Sequence, residues 1–204
     1  MTFKTLKASL IIASILASSQ ATAGEWDGFY MGASIVAGTG DSNLTYGSFS
    51  GDSAISGNLI GFHAGYNQSF KNFVLGAEFV AFSGSYDFDG NAYDTAVLGG
   101  DFNSMKDVKV RAGVDAGNFM PYLTAGYSSA VSTLVITDST TGLTDSSTDY
   151  NLNGFSFGAG VDYIYNSSVI FGLEYLNRNL NGSDSGVDHD TQLNNLALRV
   201  SYLF

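Results

Sequence analysis

The chain has 204 residues, of which only 13% are charged, and a formal net charge of −11 at pH 7. Soluble domains carry about 25% charged residues and nucleic-acid-binding domains need basic patches, so this composition is unusual for the first class and argues against the second. The absence of cysteine excludes disulfides, thiolate nucleophiles and cysteine-based metal sites. The 25 glycines, 15 phenylalanines, 12 tyrosines and single proline favour a continuous β-sheet over helices.

Residues 1–23 have the features of a secretory signal peptide. Two lysines supply a positive start, residues 8–17 (ASLIIASILA) form an apolar stretch too short to span a bilayer, and residues 21–23 (ATA) resemble a cleavage site. The alternative is a short N-terminal anchor helix. We expect this segment to be removed and residues 24–204 to form one domain outside the cytoplasm.

From Trp26 onward the sequence consists of short segments in which apolar and polar residues alternate, as in strands with two different faces. We predict eight strands, at approximately 26–37, 58–68, 73–82, 105–115, 119–133, 151–165, 168–180 and 191–204. The connections 38–57, 83–104, 134–150 and 181–190 are long, polar and rich in aspartate, whereas 69–72, 116–118 and 166–167 are short. This alternation predicts an all-β fold, an eight-stranded antiparallel up-and-down transmembrane barrel, with long extracellular loops and both termini in the periplasm.

The two faces of each predicted strand differ in charge. In the last strand, Leu, Val, Tyr and Phe occupy alternate positions of 196–204, and Arg199 shares the other face with Asn, Ala and Ser. A face without charge is either a soluble core or a lipid contact. Glycine weakens a water-facing strand and packs nothing, so the Gly- and Ser-rich face fits a narrow interior better than a solvated surface. We therefore expect the apolar face to contact lipid.

Aromatic residues near both ends of the predicted strands fit the two girdles found at membrane interfaces. We assign to the girdle near the short turns Trp26, Phe29, Tyr163, Tyr165, Tyr202 and Phe204, and to the girdle near the long connections Phe82, Tyr127, Tyr150 and Phe155. The alternative explanation is the general preference of aromatic residues for strands.

Eight charged residues share the predicted interior face. They are Glu78, Asp107, Lys109, Arg111, Asp162, Glu174, Arg178 and Arg199. The interior of an eight-stranded barrel is just wide enough for side chains to fill, and isolated buried charges are costly, so these charges must pair. We predict a salt-bridge network that fills the barrel. The alternative is a gate or a narrow conduction path.

The motifs for metal binding and catalysis are weak. Asp87, Asp89 and Asp94 form part of a calcium-loop pattern, but the glycine comes too early and the final bidentate glutamate is missing. The segment 188–190 (DHD) offers a single histidine between two aspartates. His63 shares the interior parity, so we interpret it as an interior hydrogen-bonding group rather than as a catalytic base. We predict no metal, no cofactor and no enzymatic activity.

Several segments resemble the small outer-membrane barrels of Gram-negative bacteria, the surface-antigen or opacity-like "porin family" related in fold to the OmpA membrane domain. These segments are 26–32 (WDGFYMG), 61–67 (GFHAGYN), 74–78 (VLGAE), 119–126 (FMPYLTAG), 158–163 (GAGVDY) and 200–204 (VSYLF). The resemblance implies an outer-membrane location and a C-terminal strand whose final aromatic residues, Tyr202 and Phe204, are read by the barrel-assembly machinery.

Together these features predict an integral outer-membrane protein with a plugged interior and a structural or surface-antigen role. Two alternatives stay open: a surface adhesin or ligand-binding protein that acts through the long loops, and a low-conductance pore for small solutes. A general diffusion porin is disfavoured, because open porin channels need about 16–18 strands. The expected partners are outer-membrane lipid, the barrel-assembly machinery and, for the binding alternative, a host or extracellular ligand.

Overall fold

The computed structural model describes residues 24–46, 49–88, 92–93, 96–138, 144–184 and 187–204. The predicted signal peptide at 1–23 lies outside these residues. The strands are β1 (Gly28–Tyr46), β2 (Phe49–Phe70), β3 (Phe73–Phe88), β4 (Ala92–Tyr93), β5 (Ala96–Val114), β6 (Phe119–Asp138), β7 (Thr144–Tyr165), β8 (Val169–Asp184) and β9 (Val187–Leu203).

The eight long strands form a closed barrel. Each pairs antiparallel with its neighbour in the order β3-β2-β1-β9-β8-β7-β6-β5, and a further pairing between β3 and β5 closes the ring. The two-residue strand β4 pairs only with the start of β5. The predicted eight-stranded antiparallel barrel is confirmed.

Within the part of the chain that the structure describes, no helix is long and apolar enough to cross a membrane.

The strands are longer than the sequence pattern predicted. The pairing of β1 with β2 continues to Tyr46 and Phe49, and that of β8 with β9 continues to Asp184 and Val187. Most of the four segments predicted as long loops is therefore strand, and this part of the prediction was wrong. The backbone hydrogen bonds of a hairpin form whatever the polarity of its side chains, so polar composition alone did not mark the ends of the strands.

The three short connections lie at one end of the barrel, which we call the turn end. The opposite end, where the four long hairpins close, is the hairpin end. Left-handed backbone conformations allow the tight connections: Lys71 has φ 59°, Gly117 φ 72°, Asn166 φ 49° and Ser167 φ 57°. Gly24, at the start of the described chain, and Phe204, at its end, also lie at the turn end, where the Phe204 N–H donates to the Phe29 carbonyl at 2.8 Å.

An apolar belt surrounds the barrel next to the turn end. It consists of the outward side chains of 29–37, 60–70, 73–81, 108–114, 119–127, 155–165, 169–175 and 196–204, all of which are apolar except Gln68. Leu198 is 64% exposed, whereas its neighbour Arg199 is 5% exposed, which confirms the predicted faces. The belt spans 7 to 11 residues of each strand, close to the about 9–11 residues with which a tilted strand crosses a bilayer.

The strands themselves have 16 to 22 residues, so roughly half of each lies beyond the belt. We call the part of the barrel inside the belt the membrane segment and the part between the belt and the hairpin end the upper segment.

Of the predicted girdle residues whose side chains the structure describes, two are not on the outer surface, and the side chain of Tyr150 is not among those described. Trp26 is completely buried, and its indole N–H donates to the Gly117 carbonyl at 3.1 Å across the barrel mouth. Phe82 points inward and packs against interior apolar side chains. Both assignments were wrong, because aromatic residues also serve as interior packing groups. Other members do pack outside, such as Tyr127 against Phe155, with ring centroids 5.7 Å apart.

Candidate functional site: the barrel interior

Side chains fill the interior in three layers. The floor cluster, at the turn end, consists of Trp26, Tyr30, Val74, Met120, Tyr122, Ile164, Ile170 and Leu203. The roof cluster, toward the hairpin end, consists of Val36, Ile55, Leu59, Tyr86, Met105, Ala130, Leu152, Leu180, Leu193 and Ala197. The charged layer lies between them. A polar layer thus has apolar packing on both sides.

The structure brings all eight predicted charged residues into this interior. They are four acids and four bases, Glu78, Asp107, Asp162, Glu174, Lys109, Arg111, Arg178 and Arg199, and none is more than 5% exposed. The formal charges of the layer therefore sum to zero. A low-dielectric interior favours balanced charge, because an unpaired ion there is strongly destabilising.

Glu78 lies at the centre of the charged layer. Its carboxylate accepts hydrogen bonds from Arg199, through Nη1 at 3.0 Å and through Nη2, and forms ion pairs with Lys109 Nζ at 3.0 Å and Arg111 Nη1 at 3.5 Å. The Tyr30 hydroxyl donates to the same carboxylate at 2.8 Å. Glu78 thus contacts three cations, and further acids must balance the remaining positive charge.

Glu174 and Asp162 supply that balance. Glu174 Oε1 lies 2.5 Å from Lys109 Nζ and 3.3 Å from Arg199 Nη1, and its other oxygen accepts from the Tyr122 hydroxyl at 3.0 Å. Asp162 pairs with Arg111 Nη2. Six charged residues therefore form one connected network with no net charge.

The rings of the floor cluster extend into this network. The Arg111 guanidinium lies 3.9 Å from the centroid of the Tyr122 ring and 5.5 Å from that of Tyr30. Glycines make room for both rings, because a Cβ at Gly160 would overlap Tyr122 and a Cβ at Gly65 would overlap Tyr30. The inward glycines therefore serve packing of the charged layer, in agreement with the argument from sequence that they fit a narrow interior.

Asp107 and Arg178 form a second charged group beside the roof cluster. Arg178 Nη2 lies 2.6 Å from Asp107 Oδ2, and its Nε donates to Oδ1 at 3.3 Å, so the pair is bidentate. The guanidinium also lies 5.1 Å from the ring centroid of Phe82. This geometry holds the pair at the boundary between the charged layer and the roof cluster.

A cavity of about 10 Å³ lies between the two charged groups, bordered by Lys109, Glu174, Arg178 and Arg199 among others. This is the space that one water molecule needs. Arg178 Nη1 and Arg199 Nε have no hydrogen-bond partner within the described protein, so a single water there would have donors to accept from. The cavity is far too small for a solute.

The histidines do not form a catalytic set with exposed groups. His63 is buried, and its Nε2 lies 2.7 Å from Ser201 Oγ inside the barrel. His189 points inward in the upper segment, whereas Asp188 and Asp190 point outward from the same strand. The structure therefore does not bring the three residues of the 188–190 motif together.

The structure describes one of the three residues of the weak calcium-loop pattern. Asp87 is exposed near the end of β3, and its Oδ1 accepts from the Ser85 hydroxyl at 3.4 Å. Asp89 and Asp94 lie outside the described residues. Among the residues that are described, no three His, Asp or Glu side chains are grouped so as to hold a metal ion.

The C-terminal strand ends on the outer surface of the turn end. Tyr202 and Phe204 are both exposed in the belt, with ring centroids 5.0 Å apart. They are accessible from the side of the barrel.

Sequence reasoning missed the floor and roof clusters. Both lie on the same parity as the charges, so the rule that inward residues are Gly, Ser or charged failed at the two ends of each strand. The available signal was a change of composition along one parity: on β9 the inward residues are Leu193, Asn195, Ala197, Arg199, Ser201 and Leu203.

Comparison with known proteins agrees with this architecture. The profile of the family described as "Outer membrane protein beta-barrel domain" matches residues 8–204. No curated protein sequence matches the chain. The solved structures that match the chain include the following three. The outer membrane protein OprG from Pseudomonas aeruginosa has a TM-score of 0.54 and 12% identity, covering 87% of this chain and 96% of that chain.

The other two structures are less similar. Neisserial surface protein A has a TM-score of 0.48 and 13% identity, covering 90% of this chain and 100% of that chain. The outer membrane protease OmpT from Escherichia coli has a TM-score of 0.47 and 10% identity, covering 92% and 100%. At such identities the likeness concerns the fold alone.

Proposed function

The chain belongs to the family of outer membrane protein β-barrel domains, and from this premise we propose that it is a non-conducting structural protein of the bacterial surface. In this proposal the three interior layers act as a permanent plug. The upper segment then presents a polar, acidic surface outside the cell, the part of the molecule that antibodies or other surface ligands would meet.

The observation that carries the proposal is the neutral charged layer between two apolar clusters. An ion that crossed the barrel would have to displace the roof cluster, then separate pairs such as Lys109–Glu174, and then displace the floor cluster. Breaking one buried pair costs about 3–5 kcal/mol, and several would have to open together. Such an interior supports a plug over a pore.

Planar-bilayer recording tests this function directly. We expect the refolded protein to give no conductance steps at any applied voltage, with protein denatured before addition as the control. Discrete and reproducible steps from the folded sample would favour the low-conductance pore instead.

The orientation is part of the proposal. Bacterial outer-membrane barrels usually have their short turns and chain termini on the periplasmic side and their long hairpins outside the cell. Proteolysis of intact cells tests it. We expect cuts only within the sequence ranges 38–57, 83–104, 134–150 and 181–190, whereas cuts at 71–72 or 166–168 in sealed cells would reverse the orientation.

Binding through the hairpins is the second candidate, and the outward charge of the upper segment favours it. Asp41, Asp87, Asp149, Asp188 and Asp190 are exposed there, which suits a cationic host or extracellular ligand. Cells with Asp-to-Asn changes at these positions should lose attachment to host cells while keeping the same surface level of the protein. Unchanged attachment would remove this candidate.

We also propose that the barrel-assembly machinery reads Tyr202 and Phe204, and that the protein has no enzymatic role. Phe204→Ala should lower the amount of folded protein in the outer membrane. Phe29→Ala is the matched control, since Phe29 is an equally exposed belt residue (64% against 68%) on the adjoining strand. Equal effects of the two changes would indicate lost lipid contact rather than lost recognition.

A further inference from the structure

The outer surface of the upper segment differs between its two sides. On β7, β8 and β9 it is lined by seven carboxamides, which we call the amide face: Asn151, Asn153, Asn177, Asn179, Asn181, Gln192 and Asn194. On the other long strands, the outward carboxamides above the belt with described side chains are Asn43 and Asn58. Asparagine is depleted in β-strands, so its concentration on three adjacent strands opposes local propensity.

Hydrogen bonds order the lower edge of the amide face. The Tyr175 hydroxyl donates to Asn194 Oδ1 at 2.7 Å, and Asn177 Nδ2 donates to the same oxygen at 2.9 Å. Asn179 Nδ2 donates in turn to Asn177 Oδ1 at 3.0 Å. A carboxamide has both a donor and an acceptor group, and in Asn194 these bonds use only the acceptor. Among the described residues no hydrogen bond uses its NH2 group, which can therefore donate to a partner outside the protein.

The amide face continues directly from the lipid-contacting belt. On β9, Leu196 is the last belt residue and Asn194 the next outward residue, and on β8 Tyr175 is followed by Asn177. Asn177 and Asn194 are paired across the two strands. Whatever touches this edge is therefore held at the level of the lipid headgroups, immediately above the acyl chains that cover the belt.

The charge of the region restricts which headgroup fits. Of the described Lys and Arg residues, only Lys106 points outward above the belt, and it is on β5, away from the amide face. Phosphate recognition relies on Arg or Lys, which the amide face lacks. Sugar hydroxyls both donate and accept, as carboxamides do, and the half-exposed Tyr175 ring adds an apolar surface at the edge.

We propose that the amide face binds the sugar headgroup of a glycolipid in the surrounding leaflet. The acyl chains of this lipid lie against the belt residues of β7–β9, and its uncharged sugar hydroxyls bond to Asn177, Asn179 and Asn194. This assignment does not depend on whether the barrel conducts, or on which way it faces.

Nanodiscs with the same lipid mixture in both leaflets test the proposal independently of orientation. The protein is refolded into nanodiscs of phosphatidylcholine with a minor fraction of digalactosyl diacylglycerol. It is then extracted in mild detergent, and the lipids that it retains are counted by native mass spectrometry. We expect enrichment of the galactolipid over phosphatidylcholine. Loss of two hydrogen-bonding amides, in Asn177→Thr with Asn194→Thr, should lower retention roughly tenfold.

Asn58→Thr is the matched control, because Asn58 is an exposed residue just above the belt on the opposite side. Threonine favours strands, so both the double variant and Asn58→Thr should fold, and resistance of the folded band to detergent without heating checks this. No enrichment, or an equal loss in Asn58→Thr, would overturn the proposal. Displacement of the galactolipid by free digalactose at the same concentration would also overturn it, since the site would then be one for soluble sugar.

Discussion

In the membrane segment of β9, Arg199 points into the barrel and Leu198 points out, whereas in the upper segment of the same strand Leu193 points in and Gln192 points out. The parity of the strand does not change between the two, but the polarity of both faces is exchanged. β8 repeats the pattern, with Glu174 and Leu180 both inward and Tyr175 and Asn179 both outward. Above the floor cluster, the barrel is thus charged inside where lipid surrounds it and apolar inside where it leaves the lipid.

The difference follows from the solvent. In the bilayer, apolar surface gains nothing by leaving the lipid, so the outer face must be apolar and the interior is free to hold ion pairs. Above the belt, water surrounds the barrel, so burial of apolar surface is favourable, as in any soluble barrel. There the Leu, Ile and Met side chains point inward, and the amide and acidic side chains point outward. One continuous sheet therefore obeys two opposite burial rules along its length.

The largest expected effect comes from a substitution that disrupts the charged layer. Glu78→Gln leaves Lys109, Arg111 and Arg199 with too few acids, and should lower the free energy of unfolding by about 3–5 kcal/mol. Urea unfolding in lipid vesicles measures this through the fluorescence of Trp26, the only tryptophan, which is completely buried. Asp87→Asn, an exposed change in the upper segment, is the control and should be neutral. Equal stability of the two variants would mean that the ion pairs are not maintained in the membrane.

The roof cluster should behave like a soluble core. Leu193 is completely buried in it, so Leu193→Ala should cost about 2–5 kcal/mol, the range for leucine truncation in water-soluble proteins. Leu196→Ala is the control from the same strand, because lipid fills the space that this half-exposed side chain leaves, so no cavity forms and the loss should be smaller. If truncation at 196 were the more damaging of the two in urea unfolding, the exchange of burial rules would be wrong.

Arginine scanning along the outer face of β9 sharpens the boundary between the segments. Leu198→Arg places a charge in the belt and should destabilise the barrel by about 2–4 kcal/mol, whereas Gln192→Arg, in the upper segment, should change stability by less than about 0.5 kcal/mol. The free energies come from the same urea titrations. A similar cost at both positions would indicate that the bilayer covers more of the strand than the belt.

How far sequence predicts this molecule depends on the segment. In the membrane segment, period-two alternation identified the strands, their faces and the inward position of residues such as Glu78 and Arg199, because charge on a lipid-facing side is costly. The rule that inward residues are Gly, Ser or charged failed in the upper segment, where Leu193 and Leu180 point inward, and also in the floor cluster at the turn end. The prediction also placed Trp26 in the first strand and in the outer girdle, whereas Trp26 precedes β1 and is buried at the barrel mouth, where strand parity does not apply.

Which ions meet could not be predicted from sequence either. Glu78 and Lys109 are neighbours in the β3–β5 register, but Glu78 and Arg199 lie on strands that are not paired with each other. Their contact depends on the stagger of the closed barrel and on long side chains that cross its axis. Neither the stagger of the barrel nor the reach of these side chains can be predicted from the hydrophobic pattern of the strands.

Removal of one hydroxyl from each layer gives the finest comparison of the two segments. The Tyr122 hydroxyl donates to the Glu174 carboxylate at 3.0 Å in the charged layer, whereas that of Tyr86 donates to the Asn195 amide oxygen beside the roof cluster. Because hydrogen bonds to ions are stronger, Tyr122→Phe should cost about 1.5–3 kcal/mol and Tyr86→Phe about 0.5–1.5 kcal/mol. The two changes remove the same atom, so the difference between their urea unfolding energies reports only the acceptor and its surroundings. If Tyr86→Phe were the costlier change, the charged layer would have to be hydrated, because water would then replace the lost hydroxyl at Glu174.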